Sequence, residues 1–114
     1  MAAYAHTTTL DRPHATKVGR EGLGMLTGKS DVTNYNATRP ANTTITDQFV
    51  TINRVVVDGV SDNGYLVRWN PTDKQFMAYH MGTTGATVAT DRFLVAASDD
   101  EDIGEFNWIA IGLV

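Results

Sequence analysis

Gly64-Tyr65-Leu66-Val67-Arg68-Trp69-Asn70-Pro71-Thr72-Asp73-Lys74-Gln75-Phe76-Met77-Ala78-Tyr79-His80-Met81 is the stretch that decides the fold. Tyr65, Val67 and Trp69 alternate with Leu66 and Arg68, the period of two that puts successive side chains on opposite faces of a strand. Asn70-Pro71-Thr72-Asp73 then predicts a type I turn, because proline pre-sets φ at about −65° at the second turn position. Residues 75–81 return antiparallel, and the whole reads as a β-hairpin.

Working outward, the same kind of signal recurs. Residues 49–57 are dense in β-branched side chains and predict a strand buried on both faces for part of its length. Asp58-Gly59 and Asn63-Gly64 are strong turn dipeptides that close it. Downstream come a turn at residues 82–85, a short strand at 92–97, and an acidic loop, Asp99-Asp100-Glu101-Asp102. A last strand at 106–114 has Phe106, Trp108 and Ala110 on one face and Asn107, Ile109 and Ile111 on the other. Upstream, Leu23, Met25 and Leu26 predict a strand that breaks at Gly28 and resumes at 32–35, followed by a loop at 36–42 containing Pro40. Residues 1–20 are rich in Thr, contain Pro13 and lack either periodicity, so they read as an extended N-terminal arm. The fold class is therefore all-β: one small β-sandwich or β-barrel domain, residues 21–114, behind that arm. At 114 residues, a second domain is not expected.

Composition narrows the chemistry. There is no cysteine, which removes disulfides, thiolate nucleophiles and Cys-based metal sites. The three histidines, His6, His14 and His80, have no metal-binding spacing, and they read as exposed imidazoles on the arm and a half-exposed strand side chain. The acidic run at 99–102 lacks the EF-hand pattern and reads as a solvated loop. None of Ser30, Ser61 and Ser98 lies in a nucleophile-elbow motif. Asp58, Asp62 and Asp73 fall at turn positions where Asp is expected structurally. No phosphate-cradling glycine fingerprint occurs, so no enzyme, no cofactor and no metal are expected. The start lacks a basic-then-apolar leader, and no run approaches the roughly 18 apolar residues needed to span a bilayer, so no membrane association is expected.

The net charge of −4 is unevenly spread. Residues 1–57 hold six Lys or Arg against four acids, and residues 58–114 hold three against nine. An acidic second half opposes nucleic-acid binding by its aromatics. Most of these read as core, while Trp69, Tyr79 and Trp108 are candidate interface anchors. In the arm, Arg12, Lys17 and Arg20 are suited to an acidic neighbour, and Thr7, Thr8, Thr9 and Leu10 could add as an edge strand to another subunit's sheet. The plainer readings are a solvated surface and a tail without a role.

The run Val55-Val56-Val57-Asp58-Gly59-Val60-Ser61-Asp62-Asn63-Gly64-Tyr65-Leu66-Val67-Arg68-Trp69 resembles small structural proteins that decorate or cement the heads of tailed bacteriophages. Lys74-Gln75-Phe76-Met77-Ala78-Tyr79, the closing Phe106-Asn107-Trp108-Ile109-Ala110-Ile111-Gly112, and the upstream Gly24-Met25-Leu26-Thr27-Gly28 and Val32-Thr33-Asn34-Tyr35-Asn36 are similar as well. The likeness spans residues 20–114; the segment between the Phe76 strand and the closing strand is shorter here than in that family. The resemblance implies a non-enzymatic protein on the capsid exterior, assembled in the host cytoplasm. It would bridge neighbouring major capsid proteins and associate with itself, a homotrimer being favoured slightly over a homodimer. The alternative is a tail-associated or free carbohydrate-binding β module with Trp69, Tyr79 or Trp108 stacking on sugar rings.

Overall fold

The computed structural model describes residues 3–18, 22–81 and 94–114. The turn expected at residues 82–85 and the start of the strand expected at 92 lie outside the described residues, as does Arg20. The described residues form two antiparallel sheets and one four-residue helix, so the chain is all-β.

The first sheet contains β1 (Ala5–Leu10), β2 (Thr16–Val18), β3 (Leu23–Asn34), β4 (Thr51–Asp58) and β8 (Gly104–Leu113), in the order β1-β3-β8-β4. Within the expected extended arm, residues 5–10 and 16–18 are laid along this sheet. β1 pairs with β3 from Ala5↔Asn34 to Leu10↔Gly28, and β2 continues the same edge from Thr16↔Met25 to Val18↔Leu23. A bend separates the two strands, tied down where Asp11 N–H donates to the Thr27 carbonyl (3.0 Å) and Thr27 Oγ1 to the Asp11 carboxylate (2.7 Å). Tyr4 just ahead of β1 is buried, and its hydroxyl donates to the Phe76 carbonyl. These anchors, rather than any apolar periodicity, hold the segment to the domain.

β3 is continuous for 12 residues where a break was expected at Gly28. A Cβ at that position would come within 2.6 Å of the Trp108 ring and 2.5 Å of the Thr9 carbonyl, so the glycine admits a close approach and does not interrupt the strand.

The second sheet is β5 (Leu66–Asn70), β6 (Gln75–Met81) and β7 (Leu94–Ala96), in that order. The hairpin registers from Leu66↔Tyr79 to Asn70↔Gln75. Its four-residue connection is an Asx-turn, with Asn70 Oδ1 accepting from Thr72 N–H and Asp73 N–H, and it closes through Lys74 in a left-handed conformation, φ 56°. The helix α1 (Thr43–Thr46) is capped by Asn42.

The inner faces meet through aromatic edges. Phe76 of β6 lies 4.8 Å from Phe106 of β8 and 5.1 Å from Trp69 of β5, both nearly perpendicular. Leu26, Val32, Val55, Val67, Ile103, Trp108 and Ala110 complete this core. β8 buries alternate residues as its sequence predicts. β4 does not follow the expectation of two buried faces: Val55 is buried, while Val56 is 49% exposed. β4 is an edge strand, and Val56 lies on its solvent-facing side.

Candidate docking surface

Three kinds of feature could carry function: a buried polar cluster, the clefts at the strand edges, and the outer face of the larger sheet. The first is structural. Gln75 Nε2 donates to His6 Nε2 (3.3 Å), because an amide nitrogen has no acceptor capacity, and His6 Nδ1 then carries its proton toward Thr8 Oγ1 (3.2 Å). Thr8 Oγ1 also accepts from Asn42 Nδ2 and lies 2.8 Å from Ser30 Oγ, which accepts from the Trp108 indole N–H at 3.1 Å. Gln75 Oε1 accepts from Asn42 Nδ2 and Phe76 N–H. Each member has a partner, so the cluster locks β1 to β3, β6 and β8 and offers no poised nucleophile. Desolvation lowers the His6 pKa, in keeping with an imidazole held neutral by that network.

The sequence candidates do not converge on one place. Thr8 and Leu10 point toward the core side of β1, whereas Thr7 and Thr9 point outward, and all four are paired with β3, which makes β1 an edge strand of the larger sheet. Arg12 is exposed in the bend and Lys17 on β2. Trp108 is 1% exposed and its indole N–H is occupied, so it is a core residue and not an interface anchor. Trp69 pairs across the hairpin with Phe76 and Tyr79 with Leu66, an odd offset that puts them on opposite faces of the smaller sheet. The three aromatics thus share no stacking platform. Trp69 borders a cleft of about 260 Å³ with Phe49, Ile52, Pro71 and Lys74, and a groove of about 400 Å³ runs between residues 55–57 of β4 and 66–69 of β5.

The acidic loop is largely committed to holding its neighbours. Asp99 accepts from Ala37 N–H, Asp102 from Gly104 N–H, and the Glu101 carboxylate from Ser98 N–H. Among the described residues no group of three or more His, Asp or Glu could hold a metal ion. Arg39 is likewise internal, paired with Asp73 at 2.6 Å and donating to the Tyr35 hydroxyl.

What remains is the outer face of the five-stranded sheet. Directly paired residues of an antiparallel sheet project to the same side, so the registers assign this face. Met25 and Thr27 of β3 lie beside Ile111 and Ile109 of β8, which in turn lie beside Arg54 and Val56 of β4. Met25, Val56, Ile109 and Leu113 are each 40–49% exposed. Charges flank this apolar centre: Arg54 at one end, and at the other Asp58, Asp31 and the exposed Lys29–Glu105 pair at 3.6 Å. Burial first, and then Asp102, Glu105 and Asp62, raise the Asp31 pKa, which marks that end as acidic. Sequence reading missed this face because it took the Val55-Val56-Val57 run as buried on both sides. The signal available was the charged punctuation, Arg54 and Asp58 at two-residue spacing from Val56, which brands one side of the strand as wet.

No family model matches the chain, and neither a curated protein nor a solved structure matches it.

Proposed function

We propose that this chain is a non-enzymatic virion structural protein that decorates and cements the outside of a bacteriophage capsid by bridging neighbouring major capsid proteins. The observation that carries a docking role is the outer face of the five-stranded sheet, where an apolar centre with charged ends is left uncovered by the described residues. Exposed contiguous apolar surface with a polar rim is the usual mark of a protein contact. The phage head as the partner rests on the resemblance of residues 55–69, 74–79 and 106–112. A cement protein needs only complementary surfaces repeated by shell symmetry, since many weak identical contacts then act together.

Co-sedimentation of the purified chain with expanded heads that lack it tests the reading. Binding at micromolar concentration is expected. Heads that sediment bare overturn the assignment.

A further inference from the structure

We propose that the outer face of the five-stranded sheet docks a second copy of this chain about a twofold axis that crosses the strands at Val56 and Ile109. The inference rests on reading this face as a docking surface and assigns it to self-association, which leaves the contact with the head to the rest of the dimer's surface.

β4 presents outward, in order, Arg54, Val56 and Asp58: a cation, an apolar side chain and an anion. Two faces packed against each other by a twofold have their axis in the plane between them. An axis perpendicular to the strands reverses strand direction across the contact. With that axis over Val56, its own copy meets Val56, the Asp58 carboxylate of the second copy lies over Arg54, and Arg54 of the second copy lies over Asp58. The same operation places Ile109 on Ile109, because Ile109 is the cross-strand partner of Val56. Along β4 a foreign partner would have to carry the reverse order of charge, whereas this chain already carries it; on β8 and β3 the same operation sets Glu105 over Leu113 and Lys29 over Met25.

Two further observations fit. Among the described residues neither Arg54 nor Asp58 has an ion-pair partner, so both charges are free to pair across a contact. The β4 edge is interrupted by a bulge between Ile52 and Arg54, which discourages strand-to-strand pairing at that edge. Size is adequate. Ten residues of β8 at about 3.4 Å and four strands about 4.8 Å apart span roughly 34 by 19 Å. Two copies would cover about 1,300 Å² in total, just within the range of stable specific pairs. The expected assembly is thus an isologous dimer, where the sequence reading put a trimer first.

Sedimentation equilibrium of the full chain, with head binding measured in parallel, tests this. The intact chain is expected to dimerise, and Val56→Lys to abolish the dimer. Arg54→Asp and Asp58→Arg are each expected to weaken it by about tenfold or more, since like charges then face each other twice per dimer. The double exchange R54D/D58R should restore the dimer to within about threefold, because the order of charge is merely inverted. A chain that stays monomeric, or single reversals that the double exchange does not rescue, overturns the twofold contact. A monomer that still coats heads would leave the capsid reading standing without the self-contact. A dimer that binds no heads would support the self-contact and overturn the capsid reading.

Discussion

His6 can satisfy its neighbours in one protonation state only. Its Nε2 faces the Gln75 amide nitrogen, a donor, so adding a proton there would set donor against donor inside a half-buried cluster. Burial accordingly lowers its pKa from the usual value near 6.5. The native state thus takes up this proton less readily than the unfolded chain. Its contribution to stability is fully present above about pH 6.5 and is lost as pH falls from there through the lowered native value. Asp31 works in the opposite sense: its raised pKa means that its charge weighs against the fold at neutral pH and is relieved as pH falls through the carboxylate range. The two act in opposite directions, so the histidine is read in the interval below about pH 6.5 by comparison with a variant that lacks it. Urea midpoints are expected to fall over that interval in the intact chain and to flatten in His6→Gln. Equal slopes in both proteins would remove His6 as the cause.

β1 shows what makes an element hard to read. Its inward residues are His6, Thr8 and Leu10, with one apolar side chain among three, so the alternation that betrays β5 and β8 is invisible in hydropathy. The Thr7-Thr8-Thr9 run was a β-propensity signal, but propensity does not say which sheet a strand joins. Gly28 misled for a related reason, since its purpose lies 80 residues away at Trp108, in contact with which a side chain would clash. The hairpin of β5 and β6 was legible because its turn chemistry and alternation are local. Because β1 and β2 belong to the sheet, the segment ahead of Gly22 should matter to folding as much as to binding. Their loss strips the paired edge from β3 and removes Tyr4 from the core. It also leaves Gln75, Asn42 and Ser30 buried without the partners that β1 supplies. Burying unsatisfied polar groups costs about 1–3 kcal/mol each, and losing a large buried aromatic about 3–5 kcal/mol. Against a total of about 5–15 kcal/mol for a typical domain, a chain starting at Gly22 is expected to show no cooperative thermal transition by circular dichroism. A transition within a few degrees of that of the full chain would return the segment to the status of a detachable arm.

The molecule as a whole is two sheets that cannot be buried separately. The three-stranded sheet has Phe76 and Val67 as its buried centre, and Phe76 is covered by Phe106 of the other sheet and by the Tyr4 hydroxyl on its carbonyl. The larger sheet in turn contributes Trp108 and Ala110 to one buried cluster with Val67, Phe76 and Ala78 of the smaller sheet and Ile45 of α1. Polar links cross the same boundary, from Asn42 and His6 to Gln75. Such a core is legible in the sequence as a set of inward residues. Which outward face is left bare is a property of the assembled sheets and was not. One cooperative unit is the consequence. Amides of β6, at residues 76–78, and of β8, at residues 106–110, are expected to exchange with deuterium through the same global opening. Their free energies should be equal within error to that from urea unfolding. Exchange of the β6 amides through a cheaper opening would mean that the smaller sheet comes away first. The outer face of the larger sheet would then be a docking surface on a domain able to shed half its core under load, which a shell-stabilising protein could not tolerate.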